Sequence, residues 1–223
     1  AHINELSIKA SEWVIPNEFN RLIALYGGTR LNAYTSFDQT VYHNVFLPQY
    51  LRQWCYLNAE RMINPVFRMF QGELETVYEE KNRASDIIGD ATDKLFSALF
   101  KDQPYGQPII GTTENLKNPR LSDMEAFYRQ YYVASNMGLI LCGDIDANGI
   151  EALLEATFGR IADGPVAARK KSPMPPIEPG QKVDILLPIP LIKAQAVVLS
   201  APTDYDDDAI ILDLANSLLT NEK

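Results

Sequence analysis

Polar and apolar positions change period several times along the 223 residues, and each change marks an element. Residues 3 to 26 follow a helical pattern that breaks at Pro16. In EFNRLIAL and the tyrosine after it, Phe19, Leu22, Ile23 and Tyr26 share one face. Asn17 is placed to cap this helix, and Gly27-Gly28 to end it, because glycine accepts the left-handed geometry of many helix C-termini. The next stretch, TRLNAYTSFDQTVYHNVFLP, partly alternates and is rich in Thr, Tyr, Val and Phe. It predicts strands over 29–36 and 40–47, joined by a turn near Phe37-Asp38. Helical spacing returns from Gln49 to Ile63 and stops at Asn64-Pro65. It resumes from Arg68 to Leu99, with an interruption near Ser85 or Gly89.

Farther on, PYGQPIIG reads as a loop. Residues 123–132 read as a helix capped by Ser122, with Glu125 at the capping-box position. MGLILCGDI suits a buried strand, and NGIEALLEATFGRI an amphipathic helix. Residues 163–181 hold five prolines and few apolar side chains, as an extended linker does. Beyond it, KVDILLP and KAQAVVLSAP read as strands and DDDAIILDLANSLL as a helix. Paired strands among several helices, without regular βαβ units, indicate an α+β fold: a layered sandwich of antiparallel sheet and helices.

Composition narrows the function classes. The net charge is −9, and the one basic cluster is Arg169-Lys170-Lys171. Nucleic acid and anionic membranes both reward clustered positive charge, so neither is expected as a partner. No apolar run reaches the ~18 residues that a membrane span needs. The start, AHINELSIKA, has no basic region followed by a long apolar core, and no initiator Met. A fragment or a removed signal both fit, and cytoplasm and periplasm stay open. Cys55 and Cys142 are expected to be small, buried and reduced.

Candidate chemistry centres on GELETVYEEKNR, which puts Glu73, Glu75, Glu79 and Glu80 within eight positions. On a helix, residues seven apart return to nearly the same azimuth, so Glu73, Val77 and Glu80 line one stripe and Glu75 and Glu79 another. The stretch is either a solvated acidic face or one edge of a charge-handling site. The only histidines are His2 and His43. His2 and Glu5 have H-x-x-E spacing, but Leu6 stands where a second histidine would make a zinc pair. His43 alternates with Val41 and Val45 and reads as a core or edge residue. TDYDDD (203–208) lacks the pattern of a calcium loop and reads as acidic residues opening a helix.

Taken together, EFNRLIALYGGTRLNAYTSFDQTVYHNVFLP, LNAERMINPVFRMFQGELETVYEEKNR and DQPYGQPIIGTTENLKNPRLSDMEAFYRQYYVASNMGLILCGDI resemble the pitrilysin/insulin-degrading-enzyme peptidases. These are inverted zincins with H-x-x-E-H on their first helix. The resemblance implies a zinc endopeptidase acting on peptides or small unfolded proteins, in which a glutamate takes the proton from a metal-held water. It assigns Glu80 as a zinc ligand and Glu73 as a carboxylate steadying the ligand geometry, with Glu75 and Glu79 left on the surface. Asn32, Ala33, Tyr34 and Thr35 match the family's edge strand, where a peptide pairs in extended form. His2 and Glu5 match the first histidine and the general base, while Leu6 replaces the second histidine. The chain by itself is therefore expected to bind no zinc and to be inactive. In these terms residues 1–162 are a first peptidase domain incomplete at its N-terminus, 163–181 a linker, and 182–223 the truncated start of a second, similar domain. A second homologous half is the expected partner. The alternative is a non-catalytic structural or peptide-binding homologue.

Overall fold

The computed structural model describes residues 5–6, 9–10, 12–67, 69–84, 87–117, 119–166, 168, 180, 182–185, 198–199, 201–202 and 206–220. They are helix-rich, with one two-stranded antiparallel sheet, an α+β architecture. The chain divides into two compact units, Ala1–Asp86 with Gln107–Ser172, and Ile87–Gly106 with Pro173–Lys223.

The first unit opens with α1 (Glu18–Leu25). Asn17 precedes it with left-handed backbone (φ 57°) and gives no side-chain cap. The first turn relies instead on Glu18, whose carboxylate pairs with Arg21 at 2.6 Å. The helix ends as its glycines predict. Gly27 is left-handed at φ 70°, and the amides of Gly27 and Gly28 donate to the carbonyls of Ala24 and Ile23. Such crossed bonds satisfy carbonyls that a helix end otherwise orphans.

Strands β1 (Thr29–Thr35) and β2 (Thr40–Val45) form a hairpin closed by the Ser36 amide donating to Gln39 O at 2.8 Å. Asn32 faces His43 and Ala33 faces Tyr42 across the ladder, but Thr29 faces Val45, so β1 carries one extra residue before Asn32. Arg30 takes up this bulge with φ 52°. A bulge bends its strand and re-aims the residues after it, here Asn32–Thr35.

A turn at Pro48–Tyr50 leads into α2 (Leu51–Ile63), which supplies the core. Cys55 and Ala59 are fully buried, and small residues four apart let a second helix approach closely. That second helix is α7 (Ala147–Thr157), reached after α3 (Phe70–Ala84), α5 (Thr113–Lys117) and α6 (Leu121–Tyr131). Buried Thr157 satisfies its hydroxyl on Leu153 O at 2.7 Å. Ile23, Val133 and Ile161 complete the buried apolar set among the described residues.

Two local expectations fail. Ser122 is not the cap of α6: Arg120 holds that position in extended backbone and pairs with Asp123 at 3.0 Å, while Glu125 pairs with Arg129 at 3.0 Å. Local charge pairing takes the Glu125 carboxylate that the capping box needs. MGLILCGDI is not a buried strand either. It is non-helical and pairs with no strand among the described residues, and Ile140 is 89% exposed. An apolar run becomes a strand only with a ladder to satisfy its backbone.

In the second unit, α4 (Ile87–Leu99) is followed by a turn at Pro104–Gly106, where Phe100 packs on Phe96 and Tyr105. Asp206 then accepts from the Asp208 amide at 3.2 Å and opens α8 (Asp207–Thr220), which bears out the acidic run as a helix start. Among the described parts of the two segments expected as strands, 182–185, 198–199 and 201–202, no strand forms. The rest of both, and most of 167–181, lie outside the described residues.

Candidate functional site

Antiparallel pairs alternate between residues that bond each other and residues that point their backbone groups outward. Ser36 bonds Gln39, so Tyr34/Val41 and Asn32/His43 are the bonded pairs. Ala33 and Thr35 therefore direct their amides and carbonyls to the free edge of β1, which no strand covers among the described residues. Asn32 modifies that edge: its Oδ1 accepts from the Ala33 amide at 2.9 Å. The side chain occupies the donor that an incoming strand would use, and an occupied donor makes an edge less open to unwanted pairing. The family resemblance singled out Asn32 as part of the edge strand, so this role of its side chain was missed.

The two faces of the hairpin differ. Tyr42 and Asn44 point toward the helices, where Asn44 Oδ1 accepts from Trp54 Nε1 at 2.8 Å and Tyr42 meets the Tyr132 hydroxyl at 2.7 Å. Val41, His43 and Val45 share the opposite face with Tyr34, whose ring lies 6.3 Å from that of His43. Tyr34 and Val45 are about half exposed, and His43 is exposed, an edge residue and not a core one.

Glu73 and Glu80 both lie on α3 with exposed side chains, and half-buried Val77 sits between them. Glu75 and Glu79 are exposed as expected, and Glu79 pairs with Arg83 at 3.3 Å. Glu5 is exposed in helical backbone beside exposed Leu6, and His2 lies outside the described residues. The donor chemistry can be tested against zinc directly. Among the described residues no group of three or more His, Cys, Asp or Glu comes together. Glu80 offers an acceptable oxygen donor, but the set that would surround a zinc ion is not assembled here.

Comparison with known proteins shows which family the chain resembles. The family described as Insulinase (Peptidase family M16) matches residues 1–113, and the Peptidase M16 inactive domain matches residues 120–223. A zinc protease of Rickettsia felis is 26% identical over 156 residues, covering 67% of this chain and 36% of that protein. One from Mycobacterium tuberculosis is 32% identical over 149 residues, covering 64% and 34%. The crystal structure of a protease from Helicobacter pylori superposes with a TM-score of 0.63 at 27% identity, over 70% of this chain and 39% of that one. The first half of the periplasmic protease PqqL from Escherichia coli shares the fold, with a TM-score of 0.58 at 23% identity over 65% and 32%. The chain spans about a third of the length of these curated relatives. With more than half of its residues matched by the first of the two domain descriptions and most of the remainder by the second, the chain belongs to the insulinase (M16) peptidase family.

Proposed function

We propose that this chain is part of a longer zinc-dependent endopeptidase that hydrolyses peptides or small unfolded proteins. Its contribution is the strand that receives the peptide and one carboxylate of the metal site. The observation that carries the reading is the free edge of β1, where Ala33 and Thr35 present their backbone groups in a chain of a peptidase family. An extended peptide adds to such an edge through its main chain, with little demand on its sequence. Asn32 would release the Ala33 amide as the peptide arrives. Glu80 is the proposed metal ligand, Glu73 the carboxylate that steadies the ligands, and His2 and Glu5 the candidate ligand and base. In this reading the chain alone is inactive, and a second homologous half closes around the substrate.

A second reading has its own support. Leu6 stands at the position of the family's second histidine, and residues 120–223 match a domain described as inactive. A non-catalytic, peptide-binding homologue accords with both. The complete protein decides between them with an internally quenched peptide. Under the first reading the wild type cleaves it, and Glu80→Gln loses about 100-fold or more in kcat/KM. Full cleavage by the variant overturns the role of Glu80. Binding of the peptide without cleavage by the wild type establishes the second reading.

A further inference from the structure

The peptide-receiving edge belongs to a hairpin that no third strand supports among the described residues. An isolated two-stranded hairpin is marginally stable in water, so its position depends on what it is fastened to. Beside the Asn44–Trp54 bond farther along β2, a second fastening lies at Tyr42, opposite the edge itself. Tyr42 stands directly across the ladder from Ala33. Its hydroxyl lies 2.7 Å from that of Tyr132, which immediately follows α6. Tyr132 stacks on Tyr128 with ring centroids 4.2 Å apart, and the Tyr128 hydroxyl donates to Met62 O at 2.7 Å, near the end of α2. From the same helix, the Arg61 guanidinium sits 4.4 Å from the Tyr42 ring and 4.7 Å from that of Phe19 on α1. Arg61 of α2 and Tyr132 at the end of α6 therefore meet at the residue opposite Ala33, and Arg61 links it onward to α1.

We propose that the Tyr42–Tyr132 hydroxyl pair is a positioning device that fixes the β1 edge for an incoming peptide. The inference rests on the reading of that edge as the substrate strand. Neither tyrosine touches the reacting atoms. Their effect passes through the register pair Tyr42/Ala33, so it belongs to peptide binding and not to the chemical step. Arg61 restrains the ring from the helix side and Trp54 holds Asn44 to α2, while the hydroxyl contact ties the strand position opposite Ala33 to the end of α6.

The test uses the complete protein and an extended peptide substrate. Tyr42→Phe and Tyr132→Phe each remove one hydroxyl and keep the ring. Each is expected to raise KM about fivefold, the fold-change that one net hydrogen bond supplies, with kcat within about twofold. The double variant should match Tyr132→Phe, which removes the shared bond and the interaction of the same hydroxyl with Thr40. Thr157→Val serves as the control. It removes a buried hydroxyl at the end of α7 that bonds only within that helix, and should lower the melting temperature while leaving KM unchanged. Unchanged KM in both tyrosine variants overturns the proposal, as does a rise in KM that Thr157→Val reproduces at the same loss of stability. A wild type that neither binds nor cleaves the peptide fails the functional reading itself, and this is distinguishable because the variants are read only against a working wild type.

Discussion

Trp54 is the side chain on which the hairpin and the helical core depend together. Its Nε1 donates to Asn44 Oδ1 at 2.8 Å, its ring stacks on Phe46 with centroids 4.8 Å apart and 18° between planes, and Phe158 tilts against it at 6.0 Å. Trp54→Phe removes the N–H and shrinks the ring, and should cost about 1–2 kcal/mol of stability. Trp54→Ala also removes the ring. A fully buried aromatic truncated to alanine costs about 3–5 kcal/mol, and Trp54 is only half-buried, so about 2–3 kcal/mol is expected. Its stack on Phe46 lies within that figure. Urea unfolding of the 223-residue chain, followed by circular dichroism, reads both variants, with the slope checked for constancy. In a double-mutant cycle, Trp54→Phe with Asn44→Ala should show a coupling of about 1 kcal/mol. A Trp54→Ala variant within about 0.5 kcal/mol of wild type would falsify the claim that this joint ties the hairpin to α2.

Further outcomes are expected from the same structure. Cys55 is fully buried and burial pushes its thiol up to about 11, whereas Cys142 is exposed. An alkylating reagent should therefore modify one thiol in the native chain and two in denaturant; rapid labelling of both in the native state contradicts the packing of α2 against α7. Burial also raises Tyr128 from its ordinary 10 to about 12 and moves Tyr132 in the same direction. An acid that ionises less readily when folded contributes stability that is whole below pH 10 and lost as pH climbs toward 12. The urea midpoint should thus fall across that window, and a midpoint that stays flat would count against the tyrosine cluster. Tyr128→Phe should flatten part of the decline.

Much of the fold was legible because local chemistry decided it. The Thr, Tyr and Val alternation gave the hairpin to within two residues, and Gly27-Gly28 ended α1 through the backbone geometry only glycine takes without strain. Asn64-Pro65 closed α2, and the Asp206–Asp208 run opened α8. What escaped was set by competition or by distant partners. Ser122 lost the cap because Arg120 and Asp123 pair across the same turn. MGLILCGDI has the composition of a core strand, but a strand exists only with a neighbour to bond, and composition does not say whether one is present. The candidate site divides in the same way. Spacing alone put Glu73 and Glu80 on one stripe, yet no periodicity shows that Asn32 would hold the Ala33 amide or that Tyr42 would reach Tyr132, ninety residues away in sequence. The spacing of Tyr128 and Tyr132, one helical turn apart, was the available signal for the second contact.

Elemental analysis of the complete purified protein is the most direct test of Glu80 as a metal ligand, with Glu80→Gln beside a Glu75→Gln control. The account predicts about one zinc per chain in the wild type and in Glu75→Gln, and a severe loss in Glu80→Gln. Equal zinc in all three proteins would contradict it.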